Sequence, residues 1–237
     1  MSEKIIKLKD RKIICENTIG MWFDRTGVDY VYEPGQYAKI TLLEPIYHDD
    51  EGNSRLFSIA NSPSRKDVLM FSTRALDSAF NKNILELPLG TPASIGEPGG
   101  NTNLHKDSSV PAVFLIGGIG ITPVRCIVEY SVLEKLPYSM YLFYANKRKS
   151  MMTFYDDFIG WTKIKNDFSF IPTVEEPEVD WEGETGFITE DMIKKYLSDW
   201  SKPVFYIVGP PLMVDSMEAI LLKNNVEPEK IKLERFG

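Results

Sequence analysis

The stretch that decides the fold is Ala112-Val113-Phe114-Leu115-Ile116-Gly117-Gly118-Ile119-Gly120-Ile121-Thr122-Pro123. Its first five residues form an unbroken apolar run without alternation, as expected of a parallel strand buried on both faces. A glycine-rich turn follows, and then a helix start. Thr122 fits the N-cap and Pro123 the first helical position, with Val124, Ile127, Val128 and Ser131 on one face. Glycines let the backbone approach a diphosphate closely, and a helix N-terminus adds free N–H groups and a favourable dipole. The plain alternative is a tight strand-to-helix turn with no ligand. The spacing is not the GxGxxG of dinucleotide folds and no Walker lysine follows, so ATP chemistry is not supported.

Strands and helices continue to alternate towards the C-terminus. Strands are predicted at Ser139 to Tyr144, Phe168 to Ile171, Val204 to Val208 and Ile231 to Arg235. Helices are predicted near Phe154 to Trp161, after Thr189 with Met192, Ile193, Tyr196 and Leu197 inward, and from Met213 to Leu222. This rhythm predicts a doubly wound sheet.

Before the polar stretch Asn101 to Ser109 the pattern differs. KIICENTI, YAKITLL, RLFSIA, VLMFSTRAL and TPASIGE read as short strands, separated by Pro34-Gly35, Asp49 to Asn53, Pro63 and Gly99-Gly100. One short helix is predicted around Asn81 to Leu87. Short strands at this spacing suggest a barrel or a sandwich.

Composition narrows the chemistry. The 237-residue chain is 43% hydrophobic and 26% charged, ordinary for a soluble protein, and its charged start lacks a secretory signal. No apolar run approaches the ~18–20 residues of a membrane-spanning helix. The cytoplasm is therefore the expected compartment. A net charge of −7 argues against nucleic acid or an anionic membrane as partner. With only Cys15, Cys126, His48 and His105 available, a four-thiolate cluster, a disulfide framework and a His-rich metal centre are not expected. Any redox chemistry then falls to an organic cofactor.

Two further stretches stand out. Arg55-Leu56-Phe57-Ser58 puts an arginine and an aromatic on one strand face and a hydroxyl on the other, although Phe57 as core and Arg55 as surface charge is the simpler reading. Tyr206-Ile207-Val208-Gly209-Pro210-Pro211-Leu212-Met213 again joins a buried strand to a helix, either to hold backbone against a flat ring or simply to turn.

Taken in order, Arg-x-Phe-Ser, GGIGITP and VGPPLM resemble the ferredoxin–NADP reductase superfamily, in particular its compact FAD-dependent oxidoreductases without an iron–sulfur domain. The resemblance runs from Pro34-Gly35-Gln36-Tyr37 to Glu234-Arg235-Phe236 and includes Gly96-Glu97-Pro98-Gly99 and Trp181 to Gly186. It implies an antiparallel Greek-key flavin-binding barrel over residues 1–107 and a doubly wound, parallel-sheet NAD(P)-binding domain over 108–237. The implied cofactor is FAD, with FMN as the alternative, and the implied substrate NADH or NADPH. By the same resemblance Arg55 pairs with a flavin phosphate, Leu56 and Phe57 flank the flavin, and Ser58 lies near its hydride-accepting nitrogen. Phe71, Ser72 and Thr73 line it with backbone groups, Arg74 adds a second cation, and Ser78, Ala79, Phe80 and Asn81 form the helix start that holds the pyrophosphate. Gly118, Gly120, Thr122 and Pro123 are the implied nucleotide loop, and Gly209, Pro210 and Met213 the implied nicotinamide neighbours. Glu234 and Phe236 are the implied acid and shielding ring at the flavin face. Family members often carry Tyr at Phe57, Ser at Asn81 and Cys at Val208. Glu175 and Glu176 stand where NADP-dependent relatives place Ser-Arg, which favours NADH, while nearby Lys147 and Arg148 leave NADPH open. Electrons then pass to a separate acceptor: ferredoxin, flavodoxin, free flavin or another member of a larger complex. A binding module without turnover is the remaining alternative.

Overall fold

The computed structural model describes residues 4–75 and 77–236. Two six-stranded sheets divide the chain. The first is antiparallel, built from β1 (Lys4–Cys15), β2 (Thr18–Asp24), β3 (Tyr37–Leu42), β4 (Ser54–Ser58), β5 (Val68–Arg74) and β6 (Pro92–Ile95), in the order β4-β3-β6-β1-β2-β5. Its edge strands meet just past β4, where the Ala60 N–H donates to the Met70 carbonyl at 2.7 Å. That contact curls the sheet into a barrel around Ile19, Phe23, Ile40, Phe71 and Ile95. Helix α1 (Ala79–Glu86) follows β5 and buries Phe80 and Ile84 against the barrel core.

The second sheet is wholly parallel: β7 (Ala112–Gly117), β8 (Met140–Asn146), β9 (Phe168–Val174), β10 (Glu184–Thr185), β11 (Val204–Gly209) and β12 (Ile231–Arg235), ordered β10-β9-β8-β7-β11-β12. Helices α2 (Ile121–Leu133), α3 (Tyr155–Thr162), α4 (Glu190–Tyr196) and α5 (Pro211–Lys223) cover it. Phe114 and Ile116 face one core cluster and Val113 and Leu115 the other, so every residue of β7 is buried. The apolar run in the sequence thus has a cause in packing on both faces.

Three local expectations need correction. KIICENTI is not one strand: the chain reverses at Glu16-Asn17, where Asn17 adopts φ 55° between β1 and β2. Asparagine tolerates that left-handed conformation, so the residue that breaks the strand was visible but embedded in apolar flanks. Thr122 is not the N-cap. A 3-10 turn over Gly118–Gly120 leads straight into α2, Gly120 takes the cap, and Thr122 and Pro123 lie inside the first turn. Tyr196 is inward only in part: its ring meets the buried Phe143 edge-on with centroids 5.8 Å apart, while its hydroxyl reaches Glu184 at the surface.

The two sheets are joined through α2. Arg125 donates to the Ala60 carbonyl at 2.8 Å, Cys126 Sγ to the Asn61 carbonyl at 2.9 Å, and Glu129 accepts the Ser62 N–H at 2.6 Å. Three positions on one face of the helix therefore satisfy the backbone of the segment that closes the barrel. Burial pushes the Cys126 thiol up to about 12, so it stays protonated and can donate.

Candidate functional site

Parallel sheets place loops from neighbouring strands side by side at their C-terminal ends, where α/β proteins bind ligands. The turn after β7 and the turn after β11 meet there. A Cβ at Gly120 would stand 2.7 Å from the Val208 carbonyl oxygen, and one at Gly209 would stand 3.1 Å from Gly117 N. Only glycine permits this approach. The Met213 sulfur and Pro210 lie against Gly117. All the nucleotide-loop and turn residues expected from sequence are thus brought together, except that Pro123 is buried within α2.

The end of β5 closes on the same point. The Ser72 hydroxyl lies 2.8 Å from that of Thr122, which donates to the Ile119 carbonyl. A Cβ on Gly118, at φ 54°, would meet Arg74 Nη2 at 2.9 Å. Arg74 also donates to the Thr18 hydroxyl, and Asn81 donates to the Arg74 carbonyl at 2.9 Å. Thr73 is half-buried beside them, its hydroxyl on the Arg74 carbonyl.

From this seam a cleft of about 650 Å³ opens over the second sheet, a size suited to a small-molecule ligand. Arg74, Gly117, Gly118, Met213, Asn146 and Glu175 contribute to its walls. Three of its features were missed from sequence. Asn146 ends β8, is buried, and its Nδ2 has no hydrogen-bond partner. Phe187 and Leu212 line the cleft while 69% and 83% exposed. A polar residue ending an apolar strand was the available signal for Asn146; nothing in the local pattern marked Phe187. Glu190, also lining, is held down to about 2 by Lys194 and Lys223. Lys147 and Arg148 share the one Glu176 carboxylate, each at 3.2 Å.

On the barrel side Phe57 packs on Phe80 and Phe71 with ring centroids 5.3 and 6.3 Å away. Phe71 and Phe80 are fully enclosed, so only their backbone is available to a ligand. Leu56 points the other way and is exposed, and Ser58 is buried opposite Tyr37. Ser78 caps α1, its hydroxyl accepting the Asn81 N–H at 3.3 Å. Arg55 lies over the Phe80 ring and faces the N-terminus of α1, but its Nη2 contacts Glu51 at 2.6 Å and Asp49 at 3.6 Å. The expected phosphate partner therefore holds internal carboxylates. The donor set, a guanidinium and a helix-start N–H, is one that fits an anionic phosphate. The bare Gly117-Gly118 backbone and the orphaned Asn146 amide likewise fit a nucleotide.

The tail returns to the seam. The Phe236 N–H donates to the Gly209 carbonyl at 2.9 Å, and its ring packs on the second-sheet core. Glu234 pairs with Val208 in register and receives the Thr102 hydroxyl. Burial raises the Glu234 carboxyl above its ordinary range, partly offset by that hydrogen bond.

An antiparallel barrel whose closing strand abuts the glycine loop of a parallel nucleotide-binding sheet defines the ferredoxin–NADP reductase type of oxidoreductase fold. Residues 114–219 match the family model of the oxidoreductase NAD-binding domain, so the parallel-sheet half of the chain carries that domain. Among curated proteins it is similar to the F component of the Na(+)-translocating NADH-quinone reductase of Idiomarina loihiensis, 30% identical over 205 residues, covering 79% of this chain and 50% of that protein. The Marinomonas counterpart is 29% identical over 221 residues, covering 86% and 53%. The chain thus spans about half the length of these relatives. Its fold matches the flavohem-like FAD/NAD-binding domain of Vibrio cholerae nitric oxide dioxygenase (TM-score 0.84, 17% identity, 100% of both chains). It also matches a Neisseria gonorrhoeae ferredoxin NADP+ reductase with bound FAD and NADP (TM-score 0.82, 17% identity, 99% of both). Among the described residues no helix is long and apolar enough to cross a membrane.

Proposed function

We propose that this chain is the flavin-dependent, NADH-oxidising module of an electron-transfer assembly, with residues 1–107 holding FAD and 108–237 holding the nicotinamide nucleotide. The carrying observation is the 2.8 Å contact between Ser72 and Thr122, which sets the flavin-side strand against the nucleotide loop. A bound flavin supplies a hydride acceptor and an onward electron relay. This chain's residues do the rest. Arg55 and the start of α1 bind the flavin phosphate, and Ser58 with the Ser72–Arg74 backbone orients the ring system. Gly118, Gly120 and Thr122 bind the pyrophosphate, while Gly209, Pro210 and Met213 orient the nicotinamide. Phe236 excludes water, and the Glu234 carboxyl, which burial makes a better proton acceptor than a free carboxylate, is oriented by the Thr102 hydroxyl. Hydride transfer depends on such positioning more than on a strong acid or nucleophile.

Two observations weigh on the acceptor. The relatives from NADH-quinone reductases, each one component of a larger complex, favour a protein partner over a diffusing acceptor. The end-to-end match to a ferredoxin reductase keeps a stand-alone NAD(P)H oxidoreductase as the second reading. In either case NADH is drawn from the cytoplasm. The test is anaerobic mixing of FAD-loaded protein with NADH. Rapid bleaching of flavin absorbance is expected; a persistent flavin spectrum would reduce the chain to a binding module. A stoichiometric partner on gentle purification separates the reading as part of a complex from the stand-alone one.

A further inference from the structure

The turn between β3 and β4 brings carboxylates to the anion-binding point of the barrel. Asp49 Oδ2 accepts the Ala79 N–H at 2.8 Å, the first amide of α1. Its Oδ1 accepts the Glu51 N–H at 3.1 Å and lies 3.6 Å from Arg55 Nη2. Glu51 Oε2 meets the same nitrogen at 2.6 Å. Arg55 Nη1 donates to the carbonyls of Glu51, Gly52 and Ser54 at 2.9–3.0 Å. A planar cation facing the positive end of a capped helix is an anion site. The anion already in it belongs to the chain. The Ala79 N–H holds the Asp49 carboxyl below the usual carboxylate range, so the group is charged near neutral pH.

A carboxylate and a phosphate cannot share the same N–H and guanidinium without strong like-charge repulsion. One must leave. The carboxylates sit on the exposed tip of the turn, Asp49 to Gly52, so swinging the tip aside uncovers no core while Ile46 and Tyr47 stay bonded to the buried Asn83. We propose that Asp49 is an intramolecular competitor for the flavin phosphate: it fills the cradle of Arg55 and the α1 N-terminus and is displaced as the phosphate enters, which leaves the flavin loosely held and exchangeable. The proposal rests on the flavin reading above. It goes beyond it by making the apparent flavin affinity a property of the β3–β4 turn. The opposite role, a strut that orients Arg55 towards phosphate, predicts the opposite sign on removal.

The experiment titrates flavin-free protein with FAD, FMN and riboflavin and follows quenching of flavin fluorescence in the wild type, Asp49→Ala and Asp49→Asn. The asparagine keeps an oxygen acceptor for the Ala79 N–H, so the fold does not depend on the charge; equal thermal midpoints check this. A competitor present in about nine-tenths of the molecules lowers apparent affinity about tenfold. Both variants should therefore bind FAD and FMN about tenfold more tightly, with riboflavin, which has no phosphate, unchanged. FAD and FMN binding that weakens or stays the same overturns the proposal, as does an equal gain for riboflavin. If neither wild type nor variants bind any flavin, the flavin reading falls with it; flavin binding that is indifferent to Asp49 sinks only the competitor.

Discussion

Arg55 lies over the Phe80 ring and donates to carbonyls of the β3–β4 turn. Its truncation should loosen FAD by ~1.5–3 kcal/mol, the range for losing a charge-assisted hydrogen bond, measured as an increased Kd by fluorescence titration. Flavin retention equal to wild type would remove Arg55 from the phosphate site. Glu234 gives a second residue-scale prediction through pH. Its folded-state pKa is raised by burial, so the native chain binds a proton more tightly than the unfolded chain does. Stability therefore falls as pH rises from the ordinary value of 4.5 through the raised one. Glu234→Gln, a permanent mimic of the protonated form, should match the wild-type thermal midpoint in acid and exceed it increasingly as pH climbs through that window; a constant difference would show that Glu234 ionises normally. At this scale the sequence was uneven. Arg55 and Gly118 stood out as candidates because a charge in an apolar strand and a glycine in a strand-to-helix turn are locally conspicuous. Asp49 was not, since an acidic residue in a DDEGN turn looks like any solvated turn and its partner Ala79 lies thirty positions away.

Among the elements, α2 ties the two sheets together through the backbone of Ala60 to Ser62. Arg125 is nearly buried, bonded to the Ala60 carbonyl and to Asp157 at 2.8 Å, and it lies 3.7 Å from the buried Glu129. Arg125→Ala leaves that carboxylate short of one cation, with Arg65 at 3.2 Å and the Ser62 N–H remaining. A loss of about 3 kcal/mol is expected, at the lower end for breaking a buried pair because those partners persist. Urea unfolding monitored by tryptophan fluorescence checks it; an unchanged midpoint would mean that α2 is fixed by its apolar contacts alone. The α/β half was read nearly element by element, because a strand buried on both faces and a helix with one apolar face leave unlike patterns. The barrel half was read less well. Its strand Lys4–Cys15 and the next are separated by only two residues, and short apolar flanks hid the reversal at Asn17. The cap of α2 was displaced because the glycine loop itself is helical, a tertiary effect of packing Gly120 on Val208.

For the molecule as a whole, the proposed placing of the nucleotide in the cleft makes charge the expected basis of its selection. The chain carries a net charge of −7, and the cleft walls include Glu175 and a Glu190 that stays ionised to about pH 2. The cations nearest Glu175 along the chain, Lys147 and Arg148, both lean on Glu176 at 3.2 Å. Glu190 is already paired with Lys194 and Lys223, so Glu175 is the carboxylate left to act: it repels an added 2′-phosphate, whereas a 2′-hydroxyl can donate to it. Because Glu175 is exposed, water and salt screen the effect. NADH should exceed NADPH by about tenfold in kcat/KM for flavin reduction, the equivalent of ~1.4 kcal/mol. The gap should narrow as ionic strength rises, and Glu175→Gln should narrow it further by improving NADPH while leaving NADH nearly unchanged. Stopped-flow reduction with both nucleotides at several salt concentrations tests this. Equal rates at low salt, or a preference for NADPH, would mean that Lys147 leaves Glu176 to meet the phosphate and that the ion pair, not the acidic wall, governs selection.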